Sequence, residues 1–341
     1  MRFSFSARPA DDVAATAAQM REAEHLGFDG AWYPDQTFFR DVFAVLAACA
    51  GATRRLLLGA AVVNPYTRHP AVIARGAATV SEVAGGRFRL VLGAGNRREL
   101  LTPLGIEQTR PALRMKEAAE AIRHLLTGER VDYVGQTVRL RGARLDFQSR
   151  HPIPLFFAGR GPRVLEAAGA TADGVIIGSL TTRDGLRFAL DQVRRGAAQA
   201  GRSLEGFQVI SWASWVPART AREGLESVRR AVAHIVGGAP LEVLRAIEAD
   251  ADLIVRIRAR YQEGGAAHAA SDVTEALARK LTLFGGPEEV AETIGHLAAA
   301  GVGEVSILLP GRGTHGGHVT TQQEQLGLLA RFAGETIHRV S

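Results

Sequence analysis

Short runs of apolar residues alternate with segments of helical spacing along the whole chain. The apolar runs have the length of β-strands, and residues 56–63 are too continuously apolar for a sheet with one face in water. After each run the apolar positions follow the period of an amphipathic helix. Eight strands are predicted in this way, at residues 2–6, 30–33, 56–63, 88–93, 154–158, 174–178, 207–216 and 304–309.

Eight strands that are each followed by a helix predict an α/β fold, a (β/α)8 TIM barrel that spans residues 1–341 as a single domain. An open doubly wound sheet is the rival architecture, and the number of sequential units favours closure. Two segments break the rhythm of the units. Residues 129–150 predict a hairpin insertion with Gly135 at its turn, and residues 237–286 predict a helical insertion near the active site.

Composition narrows the class of protein. The chain is 46% hydrophobic, which is enough for a sizeable core, and its formal net charge is +6. Only two of the 41 basic residues are lysine, and the arginines are spread along the chain, so no nucleic-acid partner is predicted. No apolar run reaches the length of a membrane span, and the first residues lack the core of a signal peptide. We therefore expect no membrane partner and a cytoplasmic location.

The residues that follow the strands are the candidates for chemistry, because the active site of such a barrel lies at the carboxyl ends of its strands. Asp35 follows the second strand, where a carboxylate can accept a proton or orient a ligand. A helix N-cap or a salt bridge to Arg40 is the alternative for Asp35. Glycine-rich loops follow strands four, five and six, and such loops let backbone N–H groups approach an anion.

No metal site is predicted. His315 and His318 lie three residues apart in the loop after the last strand, but two histidines do not make a zinc site without a third ligand. The single cysteine, Cys49, lies in an apolar segment of helical spacing and is expected to be buried and structural.

Several loop motifs together resemble a known family. Residues 59–70 read Gly-Ala-Ala-Val-Val-Asn-Pro-Tyr-Thr-Arg-His-Pro, residues 85–87 Gly-Gly-Arg, and residues 93–95 Gly-Ala-Gly. With Trp-Tyr-Pro-Asp at 32–35 and Phe-Gly-Gly-Pro at 284–287, they resemble the luciferase-like superfamily, and within it most of all the F420-dependent 5,10-methylenetetrahydromethanopterin reductases. The resemblance implies a barrel of the bacterial luciferase-like type, a hydride-transferring oxidoreductase, coenzyme F420 as cofactor and a homodimer.

The same resemblance implies roles for individual residues. A non-prolyl cis peptide bond, here at Ala61–Val62, is expected in a bulge that backs the deazaflavin ring. Asp35 and Gln36 are the expected catalytic residues. The expected cofactor-binding residues are Ala61, Val62, Val63, Asn64, Gly93, Gly95 and Asn96 near the ring, and Ala158, Gly159, Arg160, Gly161, Gly178 and Ser179 near the phosphate.

Two departures from the family pattern bear on the reaction. Related enzymes commonly carry histidine where this chain has Gln36, and some F420-dependent dehydrogenases carry glutamate where it has Asn96. Oxidation of a hydroxyl group needs a base for its proton. The departures therefore favour reduction of a C=N or C=C acceptor in a small organic substrate.

Two other functions stay open. One is an FMN-dependent luciferase-like monooxygenase, which would use reduced flavin and O2 and would need a flavin reductase as partner. The other is a non-catalytic protein that binds flavin or deazaflavin. F420 carries a glutamyl tail that FMN lacks, and Arg97, Arg98 and Arg160 could meet the carboxylate charge of that tail.

Overall fold

The computed structural model confirms the predicted (β/α)8 barrel. It describes residues 1–7, 12–97, 101–215, 217–218, 220–308 and 321–338. The strands of these residues are β1 (Arg2–Ser6), β2 (Gly30–Tyr33), β3 (Leu57–Val63), β4 (Phe88–Leu92), β5 (Val131–Val134), β6 (Arg139–Ala143), β7 (Leu155–Gly159), β8 (Gly174–Gly178), β9 (Gln208–Trp215), β10 (Thr282–Leu283) and β11 (Glu304–Leu308).

Eight of these strands close on one another. The order around the barrel is β9-β11-β1-β2-β3-β4-β7-β8, and β8 pairs again with β9. All pairings between these strands are parallel, so their carboxyl ends meet at one mouth. The two-residue strand β10 adds to the mouth end of β9.

Helices cover the outside of the barrel. They are α1 (Val13–His25), α2 (Val42–Ala52), α3 (Pro70–Val83), α4 (Pro111–Leu126), α5 (Pro162–Thr171), α6 (Arg183–Gln199), α7 (Ala221–Gly238), α8 (Leu241–Ala246), α9 (Ala251–Ala269), α10 (Glu275–Leu281), α11 (Pro287–Ala299) and α12 (Gln322–Phe332). Their starts follow local sequence: Asp12 and Asp41, for example, accept backbone N–H bonds as N-caps. Within the described part of the chain, no helix has the length and apolar character that a membrane span requires.

Two segments depart from the repeating unit. Strands β5 and β6 pair antiparallel as a hairpin between α4 and β7. Helices α8, α9 and α10 lie between α7 and the short strand β10. Helix α9 is interrupted at Gly265, whose φ of 75° lies in the left-handed region that glycine adopts without a steric penalty.

A buried ion pair fills the amino-terminal end of the barrel. Arg89 of β4 bonds Glu304 of β11 through Nη1–Oε2 at 2.7 Å and Nη2–Oε1 at 3.1 Å. Ser4 donates to Glu304 at 2.6 Å and accepts from the Trp32 indole at 3.0 Å. The Arg89 guanidinium lies 4.2 Å from the Trp32 ring centroid. These contacts join β1, β2, β4 and β11 across the interior.

An apolar layer lies above this pair. It consists of Trp32, Val91, Phe156, Ile176 and Ile210, with Ala61 nearer the mouth. Glycine at position 59 makes room for the indole, because a Cβ there would lie 2.0 Å from the Trp32 ring. The interior is therefore packed with side chains and leaves the mouth as the place for a ligand.

Loss of the Glu304 charge should destabilise the barrel. Glu304→Gln leaves the Arg89 guanidinium buried without its counterion, which should lower the free energy of unfolding by about 3–5 kcal/mol at pH 7. Urea unfolding would measure this change. The control Asp191→Asn removes an exposed ion pair to Arg194 and should cost less than about 1 kcal/mol. Equal stability of Glu304→Gln and wild type would contradict the role of the pair.

The same pair predicts a dependence on acid. Burial raises the pKa of Glu304, but the Arg89 charge and the hydrogen bonds of Arg89 and Ser4 outweigh it, so this pKa lies below its usual value. A carboxyl with a lowered folded-state pKa stabilises the fold above its unfolded-state pKa, and that stabilisation is lost as the pH falls through the folded-state value. Below about pH 4.3, the usual glutamate pKa, the wild type should therefore lose stability more steeply than Glu304→Gln.

Candidate active site

The end of β3 bulges into the barrel mouth. The pairing of β3 with β4 shifts register between Ala60 and Val63, and the peptide bond Ala61–Val62 is cis, where the family resemblance places it. Ala61 and Val62 pack with the inner layer. A Cβ on Gly93 would lie 2.6 Å from the Val62 side chain, so glycine at the end of β4 accommodates the bulge.

Not every residue of the bulge can present a side chain to a ligand. Val63 is fully buried in the outer core between the barrel and its helices. The expected contribution of Val63 to cofactor binding is thus limited to its backbone. The next residue, Asn64, is 1% exposed, and its Oδ1 accepts the Tyr66 N–H at 2.8 Å. Among the described residues no group accepts from Asn64 Nδ2, which leaves a buried donor for a ligand.

Asp35 is paired with an arginine that follows β3. Its carboxylate accepts Arg68 Nε at 2.7 Å and Arg68 Nη2 at 2.8 Å, and Arg68 Nη2 also lies 2.8 Å from Asp41. The alternatives considered from sequence were wrong: the N-cap of α2 is Asp41, and the partner of Asp35 is not Arg40. Burial raises the pKa of the Asp35 carboxyl, and the Arg68 bonds limit the rise.

Between the loops after β7 and β8 lies Arg160, which has no counterion among the described residues. The Arg160 guanidinium lies over Gly178, where a Cβ would be 3.3 Å from Nη2. Arg160 makes no hydrogen bond or ion pair with the described part of the chain, and burial lowers its pKa to about 10. Gly161 is the N-cap of α5 and has no side chain to cap the helix. Pro162 has no N–H and the Val164 N–H donates to the Gly161 carbonyl at 3.1 Å, so the N–H of Arg163 is the group of this first turn that has no acceptor among the described residues.

A histidine of α7 lies near this arginine. Burial, together with the Arg160 charge, lowers the pKa of His234 to about 4, so the imidazole is neutral at physiological pH. Its Nδ1 lies 3.1 Å from the Tyr261 hydroxyl of α9. The helical insertion thus reaches the same side of the mouth as Arg160.

The remaining predicted residues lie on the same rim. Gln36 is half-buried beside Asp35, and Gly95 and Asn96 follow β4, with Gly95 at a φ of 78°. Ala158 packs with the inner layer, while Gly159 faces Val164 of α5. Ser179 follows Gly178 and is 3% exposed. Arg98, His315 and His318 lie outside the described residues.

Two residues of the site were not singled out from the sequence. Arg68 stands in the recognised loop motif, but its pairing with Asp35 depends on two loops that are 33 positions apart. Gln108 donates to the carbonyls of Ala94 at 2.8 Å and Gly95 at 3.2 Å, which fixes the loop after β4. A search for polar residues in the loops after neighbouring strands would have found Arg68, because adjacent parallel strands bring those loops together.

Comparison with known proteins identifies the family. The family model for luciferase-like monooxygenases matches residues 2–304. The chain belongs to this family.

Three similar proteins have names that bear on chemistry. A 5,10-methylenetetrahydromethanopterin reductase of Archaeoglobus fulgidus is 33% identical over 287 residues, which are 83% of this chain and 86% of that protein. An F420-dependent glucose-6-phosphate dehydrogenase of Nocardia farcinica is 36% identical over 173 residues, or 48% of this chain and 50% of that protein. The structure of the coenzyme F420 dependent tetrahydromethanopterin reductase of Methanopyrus kandleri superposes with a TM-score of 0.83 at 26% identity, covering 100% of this chain and 99% of that one.

Replacement of Arg68 should make stability depend on pH near neutrality. Arg68→Met leaves Asp35 buried without a partner, so the pKa of Asp35 should rise further. A carboxyl with a raised folded-state pKa holds its proton more readily when folded, so stability should fall as the pH rises through that pKa. We expect the variant to lose about 2–4 kcal/mol of unfolding free energy at pH 8 and less at pH 5.

The neighbouring arginine gives the control for this measurement. Arg40 is exposed, and Arg40→Met should change unfolding by less than about 0.5 kcal/mol at either pH. A loss of stability in Arg40→Met as large as in Arg68→Met would show that Arg68 is not the specific partner of Asp35.

Proposed function

We propose that this chain is an F420-dependent oxidoreductase that transfers a hydride between the deazaflavin and a small organic substrate. Relatives over most of the chain include reductases, and the names of the Nocardia farcinica and Methanopyrus kandleri proteins include F420. The observation that carries the proposal is the buried Asn64 amide beside the β3 bulge, whose Nδ2 has no acceptor in the described structure. A planar ring with carbonyl groups, seated on the bulge, would supply that acceptor.

The residues of the mouth fit the other parts of the cofactor. Gly93 makes room for the Val62 side chain of the bulge, and the loop of Gly95 and Asn96 follows β4 beside it. The phosphate is proposed to lie at the start of α5, against residues 158–161 and 178–179. Arg160 would then have an anionic partner, from the phosphate or from the glutamyl tail. When bound, reduced F420 would supply the hydride, while the protein supplies position and electrostatics.

The polar side chains at positions 35, 36 and 96 favour reduction of the substrate over its oxidation. The side chains of Gln36 and Asn96 are amides and are not basic. Each carboxylate oxygen of Asp35 accepts a hydrogen bond from Arg68. Because the Arg68 bonds limit the rise that burial causes in the pKa of Asp35, its carboxylate is a weaker base than an unpaired buried carboxylate would be. We therefore propose reduction of a C=N or C=C acceptor, with Asp35 and Gln36 orienting the substrate.

Binding of the two cofactors should discriminate between the two redox hypotheses. Titration followed by cofactor fluorescence should show that the protein binds F420 more tightly than FMN. Arg160→Met should weaken F420 binding about 10- to 100-fold, because a charge-assisted contact to an anion is lost. The control Arg194→Met, on the exposed face of α6, should bind F420 as the wild type does.

Each other outcome selects a different function. Tighter binding of FMN than of F420, with O2 consumption when a flavin reductase is added, would replace the proposal with the monooxygenase hypothesis. Binding of F420 without turnover of reduced F420 across a panel of imines and activated alkenes would favour the non-catalytic binding protein.

We also propose a homodimer, formed through α2. This helix has no charged or polar side chain, and Ala44, Ala48 and Gly51 are exposed on its outer face. A helix that is apolar on all sides is normally buried. Light scattering should give twice the 36.4 kDa chain mass, and Ala48→Arg should give a monomer. A monomeric wild type would refute this assembly.

A further inference from the structure

The turn of the β5–β6 hairpin is fixed by a carboxylate of α4. Glu117, which is 6% exposed, accepts the N–H groups of Gln136 at 2.7 Å, Thr137 at 2.7 Å and Val138 at 3.0 Å. A Cβ on Gly135 would lie 2.6 Å from this carboxylate, so the turn and Glu117 fit closely. Burial raises the pKa of Glu117, but these bonds outweigh it and keep the pKa below its usual value. The hairpin is thus held rigidly against α4.

One turn earlier on α4, Arg114 connects that hairpin to the site. Its Nη1 donates to the Thr137 carbonyl at 2.9 Å, and its Nε donates to the Pro65 carbonyl at 3.0 Å. Its guanidinium also lies 4.9 Å from the Tyr66 ring centroid. The Tyr66 hydroxyl in turn donates to the Thr109 carbonyl just before α4. Residues 65 and 66 are therefore tied to α4 and the hairpin by backbone, ring and hydroxyl contacts.

Tyr66 fixes the orientation of the Asn64 amide. The Tyr66 N–H donates to Asn64 Oδ1 at 2.8 Å, which leaves Nδ2 as the end of the amide without a partner in the described structure. A shift of Tyr66 would move this amide. A binding group acts well only when neighbouring side chains lock its position.

We propose that Arg114 is a positioning residue for cofactor binding, and that the β5–β6 hairpin serves the site through it. The hairpin lies outside the barrel and supplies none of the residues expected to touch the cofactor. Through Arg114 the hairpin fixes the position of residues 64–67, and this orients the Asn64 amide toward the proposed cofactor ring. This inference rests on the proposed function for the identity of the ligand, but the order of residues 64–67 is a property of the protein alone.

Two measurements on Arg114→Ala test the inference. Hydrogen–deuterium exchange of the free protein should become faster at the backbone amides of Asn64, Tyr66 and Thr67. Affinity for F420 should fall about tenfold, because a displaced binding group loses its contact geometry. Arg114→Lys keeps the charge and can donate to one of the two carbonyls, so it should recover part of the affinity.

A second arginine of α4 provides the matched control. Arg123 pairs with Asp173 at 2.8 Å and donates to the Thr171 carbonyl at 3.2 Å, away from residues 64–67. Arg123→Ala should lower the unfolding temperature without changing F420 affinity or exchange at these residues.

The outcomes separate this inference from the proposed function. The positioning role would be overturned if Arg114→Ala exchanged its amides in residues 64–67 at the wild-type rate. It would also be overturned if Arg123→Ala lost as much F420 affinity as Arg114→Ala. Failure of the wild type to bind F420 would overturn the proposed function, and the exchange measurement would then decide the role of Arg114 by itself.

Discussion

The ion pair between Arg89 and Glu304 is the interaction on which the architecture of the barrel depends. It joins β4 and β11, which lie on different sides of the closed sheet, through a doubly bonded contact that water does not reach. A charge in such a place is tolerated only with a partner. The pair therefore favours one relative position of the two strands. The apolar layer lies directly above the pair, so its position depends on the same arrangement.

The geometry of the mouth follows from the layers below. The Trp32 indole stacks on Arg89 and fills the space that Gly59 leaves. Two residues further along β3 the backbone departs from regular pairing with β4. Asn64 follows directly, so the buried amide stands on a platform whose position is fixed from the amino-terminal end of the barrel upward. The position of the ligand-binding surface is therefore set by the packing of the core beneath it.

The sequence was sufficient for the barrel and for the rim on which the site lies, because both depend on local signals. Apolar runs and helical periods indicate strands and helices, and the carboxyl ends of parallel strands must share one side. Local signals do not specify which residues pair across two loops. Arg40 was considered for Asp35 because it is close in sequence, while the true partner, Arg68, is close in space. The contact of Arg114 with Pro65 spans 49 positions and carries no local pattern.

The close fit of Gly59 and Trp32 also constrains how this mouth can change over time. A methyl group at position 59 cannot be added while the indole is present, and a smaller residue at position 32 alone would open a void beside Arg89. Each residue therefore restricts substitution of the other, and a single substitution at either position should be destabilising. A relative with a differently shaped layer beneath the mouth should therefore carry replacements at both positions. We expect residues 59 and 32 to covary among members of this family.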